Sequence, residues 1–145
     1  RFDPAFREYI RRWAFKHPTP ADFFRTMNDG LGEDLDWFWR SWFYTTGSLD
    51  QAIDSVRVVT DSTGARTSRI YLANLGPLVM PVDMALLLDV GSRRTLDLPV
   101  EIWFYGSRYT AIVPGPAAVT SVVIDPDTGF VDLDRTNNQW PRPIP

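Results

Sequence analysis

The segment 33–44 constrains the fold of this chain more than any other stretch of its sequence. Six of the eight residues from position 37 to position 44 are aromatic. If the segment is a helix, four apolar side chains share one face at i, i+3, i+4 and i+7 spacing: Leu35, Phe38, Trp39 and Trp42. Three further rings fall on the other faces of that helix: Trp37, Phe43 and Tyr44.

A helix that is apolar nearly all round is buried on more than one side. Each aromatic side chain buries roughly 150–250 Å², so one small neighbouring element cannot cover them all. We therefore expect this helix to lie between the rest of the chain and a further partner, with Phe38 and Trp42 facing inward and Trp37 and Phe43 facing outward. The alternative is a core helix of one compact domain.

The first third of the chain has helical spacing throughout. Asp3-Pro4 is typical of an N-cap followed by proline, and His17-Pro18 predicts the end of the first helix. Thr19 to Asp22 repeats the start signal, and residues 28–30 predict the end of the second helix. The third helix is expected to begin near Asp34 and to end by Gly47. The apolar positions of the first two helices are Phe6, Ile10, Trp13 and Ala14, followed by Phe23, Phe24 and Met27.

After Gly47 the hydrophobic period changes to two, which is typical of strands. Seven short strands are predicted at about 53–60, 70–72, 82–90, 96–104, 109–113, 119–124 and 130–133. Residues 105–108 are expected to form a hairpin turn, and residues 125–129 a strand-linking turn. Short strands at this spacing favour an antiparallel β-sandwich. The predicted fold class is therefore α+β: a helical layer of about three helices, followed by a seven-stranded fibronectin-like β-sandwich.

These patterns predict three parts of the chain. Residues 1–50 form a helical segment, residues 51–136 form the β-sandwich, and residues 137–145 form a proline-rich tail that carries no element of its own. No apolar run approaches the roughly 20 residues that span a bilayer, so no membrane span is expected. No targeting signal is visible, so the compartment is unknown, and periplasmic and secreted locations both stay open.

The composition excludes several kinds of site. The net charge of −3 does not support a nucleic-acid partner. The absence of cysteine excludes disulfides and thiolate metal sites. His17 is the single histidine, so neither an H-E-x-x-H zinc motif nor a Ser-His-Asp triad is expected, and its position favours a structural role at a helix end. We predict no catalytic residue, no cofactor-binding residue and no metal ligand in this chain.

Two acidic segments contain parts of known site patterns, but local structure explains them better. Residues 125–129 contain part of an EF-hand pattern, but the remaining ligands are missing and a β-turn explains Asp and Gly there. Glu33, Asp34 and Asp36 stand at the start of a helix, where carboxylates favour the dipole, so an acid–base pair is disfavoured. A third possibility is a sugar platform built from Trp103, Tyr105 and Tyr109, which would suit a carbohydrate-binding module.

Several segments together resemble the zinc aminopeptidase (gluzincin) family that includes aminopeptidase N. Residues 9–24 have the tyrosine, the aromatic-rich helix end and the Pro-x-Asp-Phe helix start of that family's late helices. Residues 32–38, with Trp42 and Gly47, are similar to the next helix, which closes the catalytic domain. Further positions are similar to the β-sandwich that follows in many bacterial members: Asn74, Gly76, Pro81-Val82, Asp89, residues 122–126 and Asn137-Asn138.

The resemblance implies that the chain is the non-catalytic C-terminal portion of a zinc metallopeptidase. The family's zinc ligands and catalytic residues all precede the matched part, so zinc and the peptide substrate would belong to the parent enzyme. The expected partner is the parent's catalytic domain, through the helix that carries Trp37, Phe38, Trp42 and Phe43. The expected role is to brace that domain and to border its substrate cleft. The alternative from the residues alone is a β-sandwich module that binds carbohydrate or protein.

Overall fold

The computed structural model describes residues 1–142, which divide into two compact units, the first of residues 1–46 and the second beginning at residue 47. The described part of the first unit consists of helices α1 (Phe2–Trp13), α2 (Pro20–Leu31) and α3 (Asp36–Tyr44). The described part of the second unit contains seven antiparallel strands in two sheets. The predicted α+β class and the count of seven strands are confirmed. Pro143, Ile144 and Pro145, which belong to the predicted tail, lie outside the described residues.

Helix α1 differs from its prediction at both ends. It begins at Phe2 instead of at Pro4, with Arg1 and not Asp3 in the cap position. Arg1 donates to the Leu31 carbonyl at 2.5 Å and pairs with Glu33 at 2.6 Å, which fixes the first turn. The helix ends at Trp13 instead of at His17, because Ala14 is extended and Phe15 has a φ of 59°.

Helix α2 starts where the sequence predicts. Thr19 and Asp22 form a reciprocal capping box, and Pro20 is the first helical residue. This arrangement satisfies two backbone donors that the first turn would otherwise leave unpaired. The helix continues one residue past the predicted stop and ends at Leu31, where Gly32 takes the left-handed conformation with a φ of 69°. Helix α3 begins at Asp36, whose N–H donates to the Asp34 carboxylate, and it ends at Tyr44.

The strands of the second unit are β1 (Gln51–Thr60), β2 (Arg66–Asn74), β3 (Val82–Leu88), β4 (Arg93–Leu98), β5 (Arg108–Pro114), β6 (Val119–Ile124) and β7 (Gln139–Trp140). The sheet orders are β1-β2-β5 and β4-β3-β6-β7. Alternate residues of β3 and β6 are buried, as a sandwich requires. The Val119 N–H on β6 donates to the Ser68 hydroxyl on β2 at 2.9 Å, which links the two sheets directly.

Two predicted strands, 96–104 and 130–133, differ from the structure of this unit, and so does the predicted hairpin turn at 105–108. The alternation from Leu96 to Phe104 ends as a strand at Leu98, and residues 100–103 form a 3₁₀ turn after Pro99. Because β4 and β5 belong to different sheets, residues 105–108 connect the sheets and do not make a hairpin. Residues 130–133 are irregular apart from a single bridge of Asp132 to Leu49.

The seventh strand lies in the segment that we expected to carry no element. Gln139 and Trp140 pair with Val123 and Val122 of β6. The Asn138 carbonyl also accepts the Ile124 N–H at 2.8 Å. Residues 139–140 are therefore an edge strand of the four-stranded sheet. None of the helices in the described part of the chain is long and apolar enough to cross a bilayer.

Candidate functional site

The core of the helical unit is a small cluster in which one tryptophan is central. Ala5, Phe24, Met27 and Trp39 are buried there. The Trp39 ring is 6% exposed, and its Nε1 donates to the Asn28 side-chain oxygen at 2.8 Å. The polar end of the indole is thus satisfied while its rings are covered. Trp39 is the aromatic side chain that holds α3 against α2.

Helices α1 and α2 approach closely through small residues. Ala5 is the buried residue of α1, and it lies against Gly30 of α2. A Cβ atom added to Gly30 would lie 2.7 Å from the Ala5 Cβ. The predicted apolar stripe of α1 is wrong at Phe6 and Ile10, which are exposed, because the helix packs through Ala5 instead.

Aromatic rings on all three helices form one connected network. Phe6 lies 6.5 Å from Phe23, and Phe23 lies 6.0 Å from Phe24, measured between ring centroids. Phe24 in turn lies 5.1 Å from Phe43 and 6.0 Å from Tyr44. Distances of this size are those of favourable edge and offset ring pairs. We call this set, with Phe2 stacked on Phe6 at 5.7 Å, the aromatic network.

Both ends of the aromatic network reach the surface. On α1 the exposed side chains are Phe2 and Phe6, and on α3 they are Phe43 and Tyr44, which are 57% and 66% exposed. Ile10 continues the exposed apolar row of α1 by one further turn. Scattered exposed hydrophobic residues need no explanation, but rings that continue a packed core to the surface mark an interaction site. These two exposed ends of the aromatic network are the candidate functional site.

The predicted orientation of the four α3 side chains is partly correct. Phe43 is exposed, as expected. Trp37, which is also expected to face outward, is half-buried. Phe38 and Trp42 are also half-buried, and their rings stack on each other at 5.7 Å. The fully buried ring is Trp39, which shared their predicted face. The 3.6-residue helical period identifies the buried face of α3, but it does not show which ring on that face lies deepest. The deepest ring is Trp39, whose indole N–H donates to the Asn28 side chain.

The acidic residues near α3 hold the helix termini. Glu33 pairs with Arg1, Asp34 accepts the Asp36 N–H at 3.0 Å, and Asp36 accepts from the Asn28 side chain at 3.1 Å. Each of the three carboxylates thus has a structural partner. His17 is exposed in the link between α1 and α2, so the predicted contact with the end of a helix is wrong.

Residues 125–129 form a tight turn organised by Asp125. Its carboxylate accepts the N–H groups of Gly129 and Phe130 at 2.8 and 3.0 Å and pairs with Arg135 at 2.5 Å. Burial raises the pKa of Asp125, but these three donors together outweigh it, so the pKa lies below its ordinary value. Both oxygens are already occupied by protein donors.

An acidic cavity of about 420 Å³ lies beside this turn. Asp83, Asp97 and Asp127 line it together with Asp125, and Phe130 contributes an apolar wall. Burial, then the neighbouring Asp97 and Asp125 carboxylates, raise the pKa of Asp83. Within residues 1–142, no group of three or more histidine, cysteine, aspartate or glutamate side chains is placed to hold a metal ion.

The predicted sugar platform does not form as expected. Trp103 is buried in the 3₁₀ turn, and its Nε1 donates to the Met80 carbonyl at 3.0 Å. Tyr105 is 98% exposed, whereas Tyr109 is half-buried on β5. A flat stacking surface needs rings that face solvent together, so the Trp103 ring contributes nothing to such a surface.

Comparison with known proteins identifies no relative. The chain matches no family model, no curated protein and no solved structure.

Proposed function

We propose that this chain is the non-catalytic C-terminal portion of a zinc aminopeptidase, in which the helical unit packs on the catalytic domain. The observation that carries the proposal is the aromatic network, whose two ends are exposed on a unit of only 46 residues. A unit of this size buries a smaller fraction of its surface by itself than a larger domain does. Docking of Phe2, Phe6, Phe43 and Tyr44 against a larger domain would remove these rings from water.

The resemblance to the aminopeptidase N family supplies the identity of that larger domain. In this proposal, zinc, the peptide substrate and every catalytic residue belong to the catalytic domain. A zinc peptidase site takes several imidazole and carboxylate ligands, and this sequence contains the single histidine His17. The two sheets, with three and four strands, support a fibronectin-like sandwich. The same proposal places this sandwich at the border of the parent enzyme's substrate cleft.

The first test is the reading frame that encodes this sequence. The proposal expects an H-E-x-x-H motif upstream, because two histidines one helical turn apart bind zinc and the glutamate acts as general base. A start codon directly before Arg1 would contradict it.

The second test measures the docking surface in the encoded enzyme. Phe6→Ala with Phe43→Ala should lower the melting temperature and kcat/KM while the zinc content stays at the wild-type level. Truncating a ring in a buried contact costs roughly 3–5 kcal/mol. The matched control is Phe15→Ala, because Phe15 is fully exposed and belongs to none of the ring pairs described for the helices. Equal effects of the control and the double variant, or no effect of either, would contradict docking through this surface.

The second candidate function is a β-sandwich module that binds another protein. The burial of Trp103 removes one ring from the expected carbohydrate platform. The sandwich does present a sheet face on which two arginines form no ion pair with any described residue and apolar side chains are exposed, which favours protein over carbohydrate as the ligand of such a module.

A further inference from the structure

The outer face of the sheet β1-β2-β5 has a regular arrangement of side chains. The strand register places them in three rows: Ser55–Tyr71–Thr110, Arg57–Arg69–Ile112 and Val59–Thr67–Pro114. The residues that alternate with these along each strand form the inner face, where Ile70 is buried between Val56 and Ala111. All nine outer positions are at least partly exposed, and none of them is acidic.

Arg57 and Arg69 lie directly opposite each other at the centre of this face. Like charges directly opposite across two strands are destabilising. Among the described residues, neither guanidinium forms an ion pair, whereas Arg108 pairs with Asp54 and Arg66 pairs with Asp89 at the ends of the same sheet. The central pair is therefore an uncompensated positive site on a chain whose net charge is −3.

The neighbours of the arginine pair favour a macromolecular ligand over a small anion. The Arg57 guanidinium lies over the Tyr71 ring at 5.6 Å, which restrains it by a cation–π contact. Ile112, 62% exposed, and Val59, 44% exposed, flank the two arginines. Arginine, tyrosine and exposed aliphatic side chains together are the composition of protein-interaction surfaces.

A shallow cavity of about 240 Å³ borders the face where Tyr71 meets the Asp54–Arg108 ion pair. Thr110 contributes a hydroxyl to its wall. The cavity offers a recess for one side chain of a ligand whose other groups lie across the two arginines.

We propose that this outer sheet face binds an acidic polypeptide segment. Two of its carboxylates would pair with Arg57 and Arg69, because a guanidinium fork matches a carboxylate in a bidentate geometry. Its apolar side chains would cover Val59 and Ile112. This inference does not depend on the aminopeptidase assignment, since it uses only side chains of the sandwich.

The test is titration of the full chain with a short synthetic peptide in which Glu and Leu alternate. Arg57→Gln with Arg69→Gln removes the central pair. The control is Arg93→Gln with Arg94→Gln, which removes the same charge from exposed residues of β4 in the other sheet. Three further probes are an all-Glu peptide of the same length, inorganic phosphate and a single-stranded oligonucleotide.

We expect the Glu–Leu peptide to bind the wild-type chain with an affinity that falls as salt is added. The Arg57/Arg69 variant should bind at least about ten-fold more weakly, because it loses both charge-assisted pairs with the peptide carboxylates. The Arg93/Arg94 control should bind as the wild type does, and the all-Glu peptide should bind more weakly than the Glu–Leu peptide.

Arg69→Gln should also raise the melting temperature of the free chain, because it relieves the like-charge pair. That result separates lost binding from lost folding. Equal weakening by the control variant, no binding of the Glu–Leu peptide, or phosphate binding that displaces it equally well would each overturn the proposal. Preferential binding of a single-stranded oligonucleotide would overturn it as well.

Discussion

The indole ring of Trp39 stacks on the phenyl ring of Phe24, with 4.8 Å between the centroids and 15° between the planes. Phe24 comes from α2 and Trp39 from α3, so this stack joins the two helices. Met27, which is fully buried, belongs to the same cluster. The stability of the helical unit therefore depends more on this contact than on the exposed rings that continue from it.

Trp39→Ala should lower the free energy of unfolding by roughly 3–5 kcal/mol, because it opens a cavity under Phe24 and removes the partner of the Asn28 oxygen. Phe43→Ala in the isolated chain should cost about 1 kcal/mol or less, since Phe43 is mostly exposed. Denaturant titration followed by near-ultraviolet circular dichroism measures both. A cost for Phe38→Ala or Trp42→Ala as large as that for Trp39→Ala would contradict this ranking.

The sequence predicts the start of α2 because its start signal is local. The start signal of α2 lies within the four consecutive residues from Thr19 to Asp22, which form a capping box, and the helix begins where expected. The face of α1 could not be predicted, because its period marks Phe6 and Ile10 as apolar but cannot show that Ala5 fits against Gly30. Small residues carry little hydrophobic signal, although they allow the closest approach of two helices.

The strands show the same division between local and long-range information. Alternation predicts β3 and β6 well, since both are buried on one face. It overextends β4, because residues 100–103 keep the alternation while they form a 3₁₀ turn. It misses β7, which is two residues long and is defined only by its pairing with β6. The arginine pair of the outer face likewise depends on strand register, which a single strand does not reveal.

The Asp83 carboxylate lies directly across from that of Asp97 on neighbouring strands. Burial and the nearby carboxylates raise the pKa of Asp83 above the unfolded value of about 3.9. A raised pKa means that the stability from this group is fully present below the unfolded pKa and is lost as the pH rises through the folded pKa. Asp83→Asn should therefore stabilise the chain at neutral pH, by roughly 0.2–1 kcal/mol.

Thermal melts of Asp83→Asn and wild type across the acidic range measure this effect. The difference in melting temperature should vanish below the unfolded pKa, where the Asp83 carboxyl is protonated in both states. Asp97→Asn should give a similar gain, and the double variant should gain less than the sum of the two. A pH-independent gain would show that the effect is not electrostatic.

Asp125 should have the opposite pH dependence. Hydrogen bonds from Arg135, Phe130 and Gly129 outweigh the effect of burial and lower its pKa. The stability from this carboxylate is therefore present above the unfolded pKa and is lost as the pH falls through the lowered folded pKa. Asp125→Asn should cost about 1–3 kcal/mol at neutral pH. Asparagine also tolerates the φ of 47° at this position.

The measurement is denaturant unfolding of Asp125→Asn and wild type at neutral and at strongly acidic pH. The two proteins should approach each other in stability as the wild-type carboxylate becomes protonated. Arg135→Gln serves as the companion variant, since it removes one donor and leaves both backbone donors in place. Its cost should be smaller than that of Asp125→Asn, and a larger cost would assign the stability to Arg135 instead.

Gly30→Ala tests the close approach of α1 and α2, because we expect it to destabilise the chain although alanine ordinarily stabilises a helix relative to glycine. In a helix interior, alanine is favoured over glycine by about 1 kcal/mol. Here the added Cβ would lie 2.7 Å from the Ala5 Cβ and 3.0 Å from the Ala5 Cα, so the helices must separate. We expect Gly30→Ala to lower the melting temperature, because overpacking costs about 1–3 kcal/mol. Adding Ala5→Gly should recover part of the loss, since it removes the Ala5 Cβ, the nearer of the two atoms. A higher melting temperature for Gly30→Ala alone would show that α1 does not pack through Ala5.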